Sequence, residues 1–198
     1  MRHPPALDAP VPGAENRPME DSRQLDERIA RESRLAAVAA TGLLDAPPVA
    51  GLDRLTARAA TLLSVPSTFV SLVDRHRDFY ASHFGFGEPL GSVRQLEGRT
   101  FCHYAIASTS PLVIGDTERH PVYRDVPTVT TLGVRAYLGV PLVLGGEVIG
   151  SHCAIAFEPR TWRDEDVAGM RELAAAAIAV IEHRIAGTPL VLPDQDAM

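Results

Sequence analysis

Apolar and polar positions along this chain change period from segment to segment, and each change marks an element. Residues 1 to about 22 show no period and are rich in proline and polar groups, the pattern of a disordered leader. From Asp21-Ser22 onward, Leu25, Ile29, Leu35 and Val38 recur at near-helical spacing up to Thr41-Gly42, which predicts one helix. Pro47-Pro48 break the pattern. Leu52, Leu55, Ala59 and Leu62 then share a face and predict a second helix, closed by Pro66. Thr68 to Val73 is a short apolar run of buried-strand character, and the polar turn Asp74 to Arg77 leads into an antiparallel partner over Asp78 to Phe84. Residues 85–98 read as a glycine-bearing loop. Thr100 to Ala107 reads as a short helix with Thr100 as its N-cap, and a brief strand follows that ends at Asp116. Residues 117–133 are irregular, with at most a helical turn near Thr128 to Leu132.

The centre of the pattern is Arg135 to Ala156. Two nearly continuous apolar runs flank Gly145-Gly146, a hairpin signal because the favoured two-residue turns need positive φ. Unbroken apolarity predicts that both faces of this hairpin are covered. Pro141 has no ladder donor, which places it at an edge or a bulge. After Pro159, a last helix carries Val167, Met170, Ala174, Ile178, Ile181 and Ile185 as an apolar stripe, with the alanine-rich run Leu173 to Ala177 permitting close helix approach. Gly187 and Pro189 end it, leaving 187–198 as a flexible tail. The expected organisation is therefore a single domain over 23–186 of α+β class, with an antiparallel sheet and terminal helices gathered on one face.

Composition narrows the function classes. The chain has 198 residues, a formal net charge of -6 and no basic cluster, so phosphate-neutralising contact with nucleic acid is not expected. No apolar run reaches the roughly 18 residues of a membrane span, and the N-terminus has no signal-type apolar region. Cys102 and Cys153, the only cysteines, form neither a disulfide framework nor a CxxC pair, and the expected compartment is the cytoplasm. The histidines show no HxxxH or HExxH spacing, so no metal is expected.

Several phrases, in order, carry a resemblance: residues 34–48, 52–74, FCHYAI at 101–106, PLVIGD at 111–116, HPVYRDVP at 120–127, VRAYLGVPL at 134–142 and 150–166. Together they resemble a free-standing GAF domain, a small-ligand sensor fold related to PAS domains. The resemblance implies a central antiparallel sheet with the terminal helices packed on one face. It also implies a ligand cavity on the other face, roofed by the short helix at 100–107 and the stretch 117–133. It further implies an unknown small-molecule ligand, a homodimer formed through the terminal helices, and a signalling partner such as a kinase or phosphatase.

The pocket candidates are Cys102, His103, Asp116, Arg135, Tyr137 and His152. Bilin-binding members attach their chromophore through a Cys followed by His, as in Cys102-His103, but the phrase also occurs in members without one, where the Cys is packing material. Free methionine-R-sulfoxide reductase is also a lone GAF domain, and Cys102 lies near one of its cysteines. The cysteine that such an enzyme carries before the central hairpin is absent here, and Cys153 falls in a core strand. Arg135 and Tyr137 share a strand face and suit an anionic ligand, or else Arg135 pairs with Asp116 to tie loop to sheet. The residue set of cyclic-nucleotide-binding members is not found. The reading is a non-catalytic sensory module. The alternatives are a reductase using Cys102 and a ligand-free interaction module.

Overall fold

The computed structural model describes residues 22–187, so the readings of 1–21 as a leader and of the residues after 187 as a tail lie outside the described residues. In chain order the elements are α1 (Ser22–Ile29), α2 (Glu32–Ala40), α3 (Ala50–Leu63), β1 (Ser67–Val73), β2 (Arg77–Phe84), α4 (Leu90–Val93) and β3 (Gln95–Glu97). There follow α5 (Phe101–Ala105), β4 (Leu112–Ile114), α6 (Pro127–Thr130), β5 (Ala136–Leu144), β6 (Glu147–Ala156) and α7 (Asp164–Ile185). The strands form one six-stranded sheet in the order β3-β2-β1-β6-β5-β4, with every neighbouring pair antiparallel. The fold is α+β.

The β5–β6 hairpin turns on Gly145 (φ 57°) and Gly146 (φ 85°), the paired positive φ values of the turn whose twist matches two antiparallel strands. That turn fixes Leu144 opposite Glu147 and, after a register shift at Leu142/Val143, places Gly139 opposite Cys153 and Tyr137 opposite Ile155. Strand β4 reaches only as far as Gly139, so Pro141 lies where β5 is paired on one side alone and its missing donor costs no ladder bond.

Successive side chains on the central strands enter different cores. Val70, Leu72, Leu138, Val140, Ile149 and Ala154 pack beneath α2, α3 and α7 with Leu52, Leu63, Trp162, Met170 and Ile181. On the opposite face, Phe69, Val73, Tyr80, Tyr137, Cys153 and Ile155 meet α1, α5 and α6 through Ile29, Phe101, Ile106 and Val129. Gly150 is needed between β6 and β1, because a Cβ there would overlap the Ser71 carbonyl oxygen.

The expected first helix is two helices, α1 and α2, because the chain breaks at Ala30-Arg31 and Arg31 is extended (φ -61°, ψ 122°). The break lets α1 join the α5 face while α2 joins the α7 face. Arg34 fastens the junction. Its guanidinium is buried and donates to the Ile29 carbonyl from Nε (3.2 Å) and Nη2 (2.6 Å), and to the Val73 carbonyl from Nη1 (2.6 Å). Within 85–98, expected as loop alone, the chain forms α4 and the edge strand β3. Strand β3 is held by the register Arg77↔Glu97 to Phe79↔Gln95 rather than by an apolar pattern of its own.

Candidate functional site

Between the sheet and a roof made from residues 85–134 lies a small cavity. Its walls are largely aromatic and aliphatic: Phe69 and Tyr80 from the sheet, Phe86 from the loop after β2, Leu90 from α4, Phe101 from α5, and Tyr137 from β5. The rings interlock, with Phe69 edge-on to Tyr80 at 5.0 Å, Tyr80 edge-on to Phe86 at 5.0 Å, and Phe101 stacked on Tyr137 at 4.8 Å. About 30 Å³ remains open to the centres of water-sized molecules, enough for one or two waters.

One end of the cavity is polar. Asp78 begins the buried part of β2, and no cation among the described residues pairs with it: Thr100 Oγ1 donates to its Oδ2 (2.8 Å), and the Ser71 hydroxyl donates to Oδ1. Cys102 and Tyr80 share the same stretch of cavity wall with this carboxyl. Desolvation dominates these donors and raises the Asp78 pKa above its ordinary value. Tyr80 is pushed well up in turn, first by burial and then by Asp78. Thr128 from α6 is 8% exposed and its hydroxyl has no hydrogen-bond partner, leaving an unsatisfied polar group on the cavity wall.

Helix α5 brings Cys102 over the sheet, where its Sγ lies 3.8 Å from Cys153 Sγ of β6. Both cysteines are free and buried. The Cys153 sulfur also lies 3.0 Å from Ser151 Oγ and 3.2 Å from the Tyr137 hydroxyl. Gly139 makes the last contact possible: the Tyr137 ring lies across it, and any Cβ at 139 would collide with the phenol. Burial pushes the Cys102 thiol well above its ordinary range, reinforced by Cys153 and Asp78.

The six sequence-derived candidates separate. Cys102 and Tyr137 line the cavity together. His103 instead closes the start of α5, its Nδ1 accepting the Thr100 backbone N–H at 3.1 Å; burial, then Arg99, lowers its pKa to about 4 and keeps it neutral. Asp116 and Arg135 are not on the cavity wall. They pair at 3.1 Å, with Arg119 on the same Asp (3.3 Å) and Glu118 on the same Arg (3.2 Å), a charge cluster that ties loop to sheet. His152 is the clear departure. Neighbouring strand residues point to opposite faces, so with Cys153 on the cavity side His152 lies under α7, fully buried. Its pKa falls to about 4 by desolvation, only partly opposed by the Leu173 backbone.

Asp78, Tyr80, Thr128 and the second thiol were not among the sequence candidates. Asp78 had one signal, a carboxylate opening an apolar strand. The pairing of Cys153 with Cys102 had none, because fifty-one residues separate them. Among the described residues, no three His, Cys, Asp or Glu side chains converge to hold a metal ion, and no helix is long and apolar enough to cross a membrane.

Comparison with known proteins places this geometry in a family. The GAF domain profile matches residues 48–181. Among solved structures, the blue-light absorbing form of the PixJ GAF domain from Thermosynechococcus elongatus superposes with a TM-score of 0.58 at 20% identity, covering 78% of this chain and 90% of that one. The GAF domain of the Acinetobacter phosphoenolpyruvate-protein phosphotransferase gives 0.58 at 15% identity, covering 79% and 98%. Free methionine-R-sulfoxide reductase from Neisseria meningitidis, in complex with its substrate, gives 0.57 at 21% identity, covering 84% and 89%. No curated protein matches the chain. These likenesses are to the fold, and the profile match over residues 48–181 shows that the chain belongs to the GAF domain family.

Proposed function

We propose that this chain is a sensory or regulatory GAF domain that admits a small molecule between sheet and roof and passes the change to a partner protein through its helical layer. The observation that carries this reading is the cavity itself: aromatic walls, a buried carboxyl at one end, and the unpartnered Thr128 hydroxyl on α6. A ligand of a few heavy atoms fits the space as it stands. A larger one must lift the roof, where Leu132 is 42% exposed beside the cavity. A linear tetrapyrrole is far larger than the open volume, so the Cys102-His103 pair gives no support for a bilin in this conformation.

In this reading the output surface is the helical layer. Along α7, Ala175 is exposed, and Ala176, Ile178 and Ala179 are half-buried, a small-residue face suited to a homodimer or to a kinase- or phosphatase-type partner. The proposed setting is the cytoplasm, where free thiols stay reduced. The test is native mass spectrometry of freshly purified protein, followed by its denatured mass. A small adduct that is released on denaturation and lost in Thr128→Leu is the expected result. A bare chain that also stays bare with a metabolite extract would refute ligand sensing and leave an interaction module.

A second reading has one observation in its favour. The thiol that a methionine-sulfoxide reductase needs beside Cys102 is supplied from β6 at 3.8 Å, although the stretch before the hairpin lacks a cysteine. Opposing it, Cys102 rests as a buried thiol of raised pKa. Turnover of free methionine sulfoxide with dithiothreitol, lost in Cys102→Ser, would establish the enzyme; no turnover by the wild type removes it.

A further inference from the structure

We propose that Cys102 and Cys153 are a modification site, a dithiol that a small hydroperoxide entering the cavity converts to an internal disulfide joining α5 to β6. This goes beyond ligand sensing and holds whether or not the cavity takes a ligand.

Three observations carry the inference. The sulfurs are already in contact at 3.8 Å, so bond formation needs them to close by about 2 Å. Only one of the two is reachable, since Cys102 lines the cavity while Cys153 lies behind it between Ser151 and Tyr137. The order of events is therefore built in: Cys102 meets the oxidant and Cys153 resolves. Finally, the open space of about 30 Å³ admits an oxidant the size of hydrogen peroxide and excludes a glutathione-sized one.

The chemistry balances on these residues. The Cys102 sulfur attacks the distal peroxide oxygen, the S–O bond forms as the O–O bond breaks, and the leaving oxygen departs as alcohol or water with the thiol proton. Cys153 then attacks the Cys102 sulfur, the S–S bond forms as the S–O bond breaks, and hydroxide leaves as water with the Cys153 proton. Two thiols lose two electrons to one hydroperoxide. Asp78, on the cavity wall beside Cys102 and held there by Thr100, is the carboxyl placed to relay the first proton. The elevated pKa of Cys102 makes the first step slow compared with a thiolate-based peroxidase, so the site responds to sustained exposure.

The test exposes the full native chain to hydrogen peroxide, removes the peroxide, denatures, and alkylates with N-ethylmaleimide before mass analysis. The expected product is about 2 Da lighter than the reduced chain, takes no alkyl group, yields a linked Cys102–Cys153 peptide, and reverts with dithiothreitol. In Cys153→Ser, the oxidation stops at a Cys102 sulfenic acid trapped by dimedone; in Cys102→Ser, Cys153 stays alkylatable. Glutathione disulfide should leave the native thiols untouched. Two alkyl groups after peroxide treatment, or sulfinic and sulfonic products without a linked peptide, overturn the proposal. A glutathione adduct on the native chain overturns the size gate. Far-UV circular dichroism of both variants confirms that the thiols were removed from a folded protein.

Discussion

Replacing His152 with leucine should remove about 2 kcal/mol of acid sensitivity from this fold. The ring lies under α7 on the apolar side of the sheet, and desolvation lowers its pKa from the ordinary 6.5 to about 4. In the folded protein it is neutral throughout the working range, whereas in the unfolded chain it takes up a proton below about 6.5. Its contribution is therefore fully present above that value and is lost as pH falls towards about 4. Integrating the linkage between about pH 7.5 and pH 5 gives about 2 kcal/mol for this histidine. His103, also lowered to about 4, adds a loss of the same sign. Asp78, whose pKa is raised, acts in the opposite sense and gains stability as pH falls through its folded value. Both groups are retained in the variant, so they cancel in the comparison. Urea unfolding of wild type and His152→Leu at the two pH values isolates the term, provided that the m-values agree. At the higher pH the variant should be at least as stable, because neither ring nitrogen has a well-formed hydrogen bond to lose. Equal losses in the two proteins would mean that His152 titrates as a hydrated side chain, and its placement under α7 would be wrong.

Three further substitutions test the frame. Arg34→Met should cost about 3 kcal/mol in denaturant midpoint, because the Ile29 and Val73 carbonyls lose their buried donor. Gly150→Ala should cost about 3 kcal/mol or more in the same assay, since the new Cβ meets the Ser71 carbonyl oxygen and β1 must move from β6. Gly145→Ala, with open space around it but φ at 57°, should cost only about 1 kcal/mol. A Gly150 variant as stable as the Gly145 variant would refute the central β1–β6 register.

The hairpin was legible because its information is local: Gly145-Gly146 fixes the turn, and the turn fixes the register of β5 on β6. Thr100 was legible for the same reason, as a cap at the start of a short helix. The phase of β6 was not. A run that is buried on both faces carries no polar alternation to say which residues look inward, so the sequence alone puts His152 on the cavity side and Cys153 in the core. The break at Ala30-Arg31 was hidden because the apolar spacing continues across it, although α1 and α2 serve different faces. Strand β3 and helix α4 escaped because elements of three and four residues are stabilised by their neighbours rather than by their own pattern.

The topology has a consequence for how this protein can change. Strands β1, β2, β5 and β6 are contiguous in the sheet and, with α2, α3 and α7, supply most of one core; most of the cavity's lining comes instead from the single uninterrupted segment between Phe84 and Ala136. That segment behaves as a cassette. The four central strands take their register from one another and the segment joins them only at the sheet's two edges, so changes in what the domain recognises are expected to be separable from the scaffold beneath.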